Sequence, residues 1–309
     1  MKIITVTLSP AFDIHCYTES FMAEHENFAS ITSYDAGGKG INLSRALWAC
    51  GTKSLAIVAV GKENGASFLS ALDTDGLCYK AIELEGRIRE NVTVHVKDKK
   101  ETRLSFNGFV ANKSLIESTQ KIILENAEAG DVVAIVGSLP SGTAASDAKV
   151  LVNALRKAQI KVVIDSRSFS PADVAECAPF LIKPNEEEIV AYVGRSVGSL
   201  DDAADAAKSI RAKGIENVMI SLGARGAVLA SSEGIFVAEA PKIEALSTIG
   251  AGDSSIAGFL YAHVNGMGYG ECLRHAIAYG SAACLTEGTK PPRKEDVKRL
   301  LDEVRVNRI

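Results

Sequence analysis

Six short runs of apolar, β-favouring residues punctuate this chain, at residues 3–8, 55–60, 132–136, 162–164, 180–182 and 218–222. Most are almost continuously apolar. A strand with one wet face alternates apolar with polar residues, whereas a strand covered on both faces does not, so these runs predict a parallel sheet sandwiched between other layers. Between them lie helix-like stretches at 42–50, 144–158, 200–212, 254–264 and 269–285. Strand and helix in alternation are the grammar of an α/β doubly wound domain.

Two stretches depart from that grammar. Residues 13–34 are polar and mixed, without a helical period. Residues 89–106 contain the alternating segment Val92-Thr93-Val94-His95-Val96, a charged stretch at 97–101, and Thr102-Arg103-Leu104-Ser105-Phe106. This second stretch predicts a hairpin with one wet face and a solvated turn at Lys97–Glu101. Together they predict a small β lid, formed by approximately 13–34 and 89–108, on a single domain spanning 1–309. No repeat, low-complexity tract or independent linker interrupts it.

Composition narrows the partners. The net charge of −4 gives no basic footprint for nucleic acid, though a few local basic groups are enough to hold a phosphate. Cys16, Cys50, Cys78, Cys177, Cys272 and Cys284 include no C-x-x-C pair and no zinc-finger spacing, so they read as reduced and mostly buried thiols. Ser9-Pro10 interrupts the N-terminal apolar run before a signal-peptide core forms, and no run of about 18 apolar residues suggests a membrane span. The expected compartment is the cytoplasm.

Three motifs carry chemistry. Ser247-Thr248-Ile249-Gly250-Ala251-Gly252-Asp253 precedes an apolar helix. Small residues leave the backbone N–H groups of this turn accessible, and the helix N-terminus adds partial positive charge, a combination that holds a phosphate or a developing anion. Asp253 then sits beside that anion site, where it can accept a proton from a hydroxyl; a plain Asp cap after a glycine turn is the simpler alternative. Gly37-Gly38-Lys39-Gly40-Ile41-Asn42 opens a second helix, with Lys39 suited to a phosphate and Asn42 to sugar hydroxyls. It is neither a Walker A loop nor G-x-G-x-x-G. In Lys183-Pro184-Asn185-Glu186-Glu187-Glu188, Asn185 and Glu188 would share the face of a starting helix and hold water around Mg²⁺, unless they are merely an acidic first turn. Gly137-Ser138-Leu139-Pro140 and Ser221-Leu222-Gly223-Ala224-Arg225-Gly226 close two further strands, where α/β folds bind ligands.

In this order the motifs resemble the ribokinase (PfkB) carbohydrate kinase family from end to end, through Asp13, Gly37-Gly38-Lys39-Gly40, Lys183-Pro184-Asn185-x-x-Glu188 and Gly250-Ala251-Gly252-Asp253. The chain is most similar to the 1-phosphofructokinase and tagatose-6-phosphate kinase branch, through Gly38-Lys39-Gly40-Ile41-Asn42, Arg89-x-Asn91, Gly137-Ser138-Leu139-Pro140, Ser221-Leu222-Gly223 and Thr286-Glu287-Gly288-Thr289. The resemblance implies a ribokinase-like, mostly parallel sheet flanked by helices. It implies Asp253 as general base, with the backbone of Gly250, Ala251 and Gly252 as anion hole. Asp13, Gly38, Lys39, Asn42, Arg89 and Ser138 would bind the acceptor. Asn185, Ser221, Gly223 and Gly226 would bind the nucleotide, and Glu188 would organise the metal. ATP and Mg²⁺ are implied as cofactors, with a monovalent cation a common further requirement. The lid often also makes a homodimer contact.

Three departures bear on the acceptor. The early motif reads Ser9-Pro10-Ala11-Phe12-Asp13, where the branch usually has Asn first. Glu26-Asn27-Phe28 stands where phosphate-sugar kinases carry a basic residue. Thr102-Arg103-Leu104-Ser105-Phe106-Asn107-Gly108 replaces the usual second lid segment. Arg103 could restore the missing charge, or be a plain exposed strand residue. A phosphorylated ketohexose (fructose 1-phosphate, tagatose 6-phosphate or fructose 6-phosphate) is the first expectation. An unphosphorylated sugar, sugar acid or nucleoside is the alternative, followed by a catalytically silent sugar-binding regulator and, last, a Rossmann oxidoreductase that lacks its fingerprint. His15, His25, His95, His263 and His275 show no metal spacing, Leu47 and Trp48 read as core, and Cys284 reads as packing.

Overall fold

The structure is a computed structural model, and it describes residues 1–97 and 101–309. Its elements run β1 (Ile3–Thr7), β2 (Ala11–Thr18), β3 (Ser30–Gly37), α1 (Lys39–Ala49), β4 (Leu55–Gly61), α2 (Gly65–Thr74), β5 (Cys78–Leu84), β6 (Arg89–Val96) and β7 (Thr102–Ser105). They continue with α3 (Lys113–Asn126), β8 (Val132–Val136), α4 (Ala145–Lys157), β9 (Lys161–Asp165), α5 (Pro171–Cys177), β10 (Leu181–Ile182), α6 (Ile189–Val193), α7 (Leu200–Arg211) and β11 (Asn217–Ser221). The last are β12 (Ala227–Ser231), β13 (Gly234–Ala238), α8 (Ala251–Val264), α9 (Tyr269–Ala283), α10 (Lys294–Glu303) and β14 (Val306–Arg308).

One large sheet has the order β14-β13-β12-β11-β10-β9-β8-β1-β4-β5, parallel from β11 to β5 and antiparallel from β11 to β14. The unbroken apolar runs serve two cores at once. In β8, Val133 and Ile135 face one helical layer while Val132, Ala134 and Val136 face the other. In β9, Val162 and Ile164 pack on the first layer and Val163 on the second. Helices α2, α3, α4, α5 and α7 cover the first face; α8, α9 and α10 cover the second, joined by Leu43, Ala46 and Leu47 of α1. Helices α8 and α9 cross closely at Gly258, where a Cβ would run into the His275 carbonyl.

A second sheet, β3-β2-β6-β7, stands apart from the first. Strands β6 and β7 pair antiparallel, as the alternation predicts. The solvated turn read at Lys97–Glu101 includes Asp98, Lys99 and Lys100, which lie outside the described residues. Strand β7 is exposed along its whole length and β3 along most of its own.

Several local expectations change. The helix after the first glycine motif starts at Lys39, three residues earlier than its apolar pattern, because Gly38 adopts φ 142° and turns the chain directly into it. Trp48, read as core, is 43% exposed: Leu47 takes the inward position, and the next residue is rotated about 100° away. Asn185 and Glu188 do not share a helix face, because α6 begins only at Ile189. The thiols are free, but only Cys177 and Cys272 are buried, and Cys78 is exposed. Among the described residues no helix is long and apolar enough to cross a membrane.

Candidate active site

Helix α8 begins from Gly250, whose φ of 79° is left-handed and suits glycine. Ala251, Gly252 and Asp253 follow as its first turn, so the N–H groups of Gly252 and Asp253 and the Asp253 carboxylate lie at one helix N-terminus, with Ala251 N donating to Thr248 O at 3.4 Å. Gly252 is needed for space as well, because a Cβ there would stand 3.1 Å from Lys183 Nζ.

Asp253 is buried, and Asn42 Nδ2 donates to its Oδ2 at 3.0 Å. Burial pushes the carboxyl up to about 6, with Asp165 adding to the rise; Lys39, the Asn42 bond and Lys183 oppose it. Lys39 reaches away from Asn42 to Asp165, with Nζ 2.7 Å from Oδ2. Lys183 Nζ lies 4.0 Å from the other oxygen of Asp165. Burial alone would raise the Asp165 carboxyl, but Lys183 and Lys39 overcome it and hold it below its ordinary value. The result is a row of alternating charge, Asp253, Lys39, Asp165 and Lys183, buried except for the partly exposed Lys39. Asp165 was not singled out in the sequence, although an acid directly after the apolar run Val162-Val163-Ile164, at a carboxyl strand end, is the signal that would have found it.

The residues expected to bind the nucleotide come together: one cleft of about 920 Å³ is lined by Asn185, Ser221, Gly223, Gly226, Ala251 and Gly252, with Thr248 and Cys284 on its wall. Asn185 bridges to Ser221, which joins the two strand-end motifs. Asn185 Oδ1 accepts from the backbone of Glu187 and Glu188 at 3.0 and 2.9 Å, and Glu188 Oε2 accepts from Asn185 N at 3.2 Å. Sequence separation alone suggested a shared helix face; the two side chains instead lock one tight turn. Arg167 Nε donates to Glu188 Oε1 at 3.0 Å, and Glu188 lines an adjoining cavity of about 300 Å³ with Asp165, Arg167 and Lys183. Arg167 also escaped the sequence reading, having no motif around it.

Among the residues expected to bind the acceptor, Asp13 Oδ1 accepts from Asn91 at 2.8 Å and pairs with Arg103 at 3.4 Å. Arg103 is therefore engaged with Asp13. Arg89 and Ser138 line a separate small cavity of about 100 Å³ between the two sheets. Arg89 Nε is buried without a hydrogen-bond partner, and so is Asn42 Oδ1. Burial, then neighbouring Arg103, pulls the Arg89 guanidinium below its ordinary value, against the pull of Asp13. Glu26 and Phe28 are both exposed, Phe28 at 82%. His15 and His95 pair with each other at 2.9 Å across β2 and β6.

Residues 5–296 match the profile of the pfkB family of carbohydrate kinases. The chain is 32% identical to the 1-phosphofructokinase of Haemophilus influenzae, over 91% of this chain and 90% of that protein. It is 30% identical to the ATP-dependent 6-phosphofructokinase isozyme 2 of Escherichia coli, over 97% and 98% of the two chains. The crystal structure of E. coli phosphofructokinase-2 in complex with potassium superposes with a TM-score of 0.91 at 30% identity, covering 98% of each chain.

Proposed function

This chain belongs to the pfkB family of carbohydrate kinases, and from that premise we propose that it transfers the terminal phosphoryl group of ATP to a hydroxyl of a phosphorylated ketohexose. The observation that carries the mechanism is the buried Asp253 carboxyl, held by Asn42 at 3.0 Å in the first turn of α8, where the turn meets the large cleft. Asp253 takes the proton of the acceptor hydroxyl. The acceptor oxygen forms a bond to the γ-phosphorus as the bond to the β–γ bridging oxygen breaks, and ADP leaves. The amides of Gly252 and Asp253 face the charge that spreads over the transferred group. A carboxyl raised to about 6 is ionised at neutral pH yet basic enough to accept the proton.

Asn185, Ser221, Gly223 and Gly226 would hold the nucleotide. Mg²⁺, an ion that usually retains several of its waters, would need few direct protein ligands beside the phosphates. Among the described residues no cluster of three or more His, Cys, Asp or Glu is arranged to hold a metal. The oxygens of Asn185 and Glu188 suit the waters of a phosphate-borne ion, and what the ion supplies is neutralisation of phosphate charge.

Two unmet hydrogen-bonding atoms support the acceptor class. Buried polar atoms are rarely left unpaired. Asn42 Oδ1 can accept from a sugar hydroxyl, and Arg89 Nε, in the cavity shared with Ser138, can donate to a phosphate. The engagement of Arg103 with Asp13 favours the second reading, an unphosphorylated acceptor, since it withdraws one cation from phosphate binding. The small sheet is proposed as a lid over the acceptor. Its exposed Ile31, Tyr34, Leu104 and Phe106 suit a homodimer contact between lids.

The test is ADP release from MgATP with fructose 1-phosphate, fructose 6-phosphate, tagatose 6-phosphate, free fructose, ribose and a set of sugar acids. A phosphorylated ketose is expected to give the highest kcat/KM. Activity on unphosphorylated acceptors alone would overturn the acceptor class, and undiminished turnover in Asp253→Asn would overturn the base.

A further inference from the structure

The opposite end of the large sheet, where the parallel strands begin, holds another concavity, of about 500 Å³. Arg156, Lys161 and Arg211 line it, with the Gln159 amide, the Phe180 ring and a single acid, Glu216. Among the described residues none of the three cations is paired with a carboxylate. Lys161 Nζ meets Nε2 of His263 at 2.8 Å and lies 4.9 Å from the centre of the Phe180 ring. That imidazole is neutral, because burial and then Lys161 push its pKa down to about 4. Arg211 Nε donates only to the Glu216 carbonyl, at 3.1 Å. In a chain of net charge −4, three cations facing one hollow with no paired acid is a local reversal of sign.

Basic residues commonly sit near helix C-termini to offset the partial negative charge there. Arg156 and Arg211 do lie in the last turns of α4 and α7. Yet the chain closes those ends with its own amides: Ile160 N to Leu155 O at 3.0 Å, Gln159 N to Arg156 O at 2.9 Å, Lys213 N to Ile210 O at 3.0 Å and Gly214 N to Arg211 O at 3.0 Å. Lys161, moreover, belongs to no helix; it is the first residue of β9, held over an aromatic face.

We propose that this concavity is a second anion site, separate from the kinase cleft, that binds a small metabolite through a phosphate or diphosphate group. The two arginines offer planar, forked donors and Lys161 a third charge.

Hydrogen exchange of the full-length protein with inorganic pyrophosphate as probe, at constant ionic strength, tests the site by binding and does not depend on the kinase reading. Protection is expected at residues 156–163 and 211–217, beyond any at 248–254 in the kinase cleft. Replacing Lys161 and Arg211 together by Gln is expected to weaken binding at this end by about tenfold or more, as for lost charge-assisted hydrogen bonds. Should that pair disturb folding, Arg156→Gln on the exposed end of α4 is expected to weaken it several-fold. Protection confined to 248–254, or protection at 156–163 and 211–217 that the charge-removing variants leave unchanged, would overturn the proposal.

Discussion

The cleft proposed for the nucleotide and the region proposed for the acceptor are built differently. The cleft of about 920 Å³ is walled by strand ends and helix starts of the large sheet, whose strands are buried on both faces. The acceptor side is a cavity of about 100 Å³ bounded partly by a four-stranded sheet with two exposed outer strands. The first is complete within one chain. The second leaves buried polar atoms of Arg89 and Asn42 unpaired and large apolar side chains in solvent, so it is the half that a ligand or a second chain has still to finish. A rigid half that presents the phosphoryl donor and an open half that receives the acceptor is an economical division for a kinase that must exclude water only after both substrates arrive.

The sharpest way to separate the halves is at their junction. Asp253→Asn should reduce kcat by about a thousandfold, the scale of a lost general base. ATP affinity by titration calorimetry should stay within about twofold, since the anion hole is backbone and the removed group is not a nucleotide contact. A parallel loss of ATP binding would show that the two halves are not separable there.

Asp165→Asn attacks the charge row beneath both halves. It removes the carboxylate that Lys39 and Lys183 share, and Lys183 is only 5% exposed. A loss of about 3 kcal/mol is expected in urea unfolding, the usual result of removing one member of a buried ionic set. A change under about 1 kcal/mol would mean that water reaches this row.

Asp253 also links pH to stability. Its folded-state carboxyl titrates at about 6, against an ordinary 3.8. Between those values the folded chain holds a proton that the unfolded chain has released, so stability falls as pH rises through that window. The cost at neutral pH is about 3 kcal/mol at 1.36 kcal/mol per unit, and Asp253→Asn should recover much of it. Urea midpoints at pH 4 and pH 8 check this: the variant gains on wild type only at the higher pH. The activity of the wild type should fall below about pH 6, as the base protonates.

The smaller effects fall on the open half. Arg89→Ala should raise KM for a phosphorylated acceptor by about tenfold, the scale of one charged hydrogen bond, with KM for ATP unchanged. If free sugars respond equally, Arg89 is not a phosphate contact. Ile31→Lys, at a side chain 66% exposed on β3, should leave thermal stability of the monomer within a degree or so but abolish a lid-mediated dimer by light scattering. An unchanged mass would place the dimer contact elsewhere.

Legibility in the sequence followed the range of the interactions. The alternation of apolar runs and helical stretches was readable because the cause is local: each β8 or β9 residue must suit whichever core it faces. The glycine loop before Asp253 was readable because turn and helix start are contiguous. Trp48 was misread because one residue's rotation around α1 decides between core and solvent. A strand end marks Asp165 in the sequence but not its partner Lys39, 126 residues away, and no motif marks Arg167, whose partner Glu188 is 21 residues away. The pairing of Arg103 with Asp13, across strands 90 residues apart, left no mark in the sequence either.

By itself, then, the sequence determined the class of fold and the chemistry of each loop, since period, turn geometry and helix polarity are properties of neighbouring residues. Only the tertiary structure decided what those loops do to one another. Asn42 and Asp253 meet across 211 residues, and burial of that carboxyl lifts it to about 6 against the pull of Lys39, the Asn42 bond and Lys183, because desolvation and those fields exist only once the chain has closed around it.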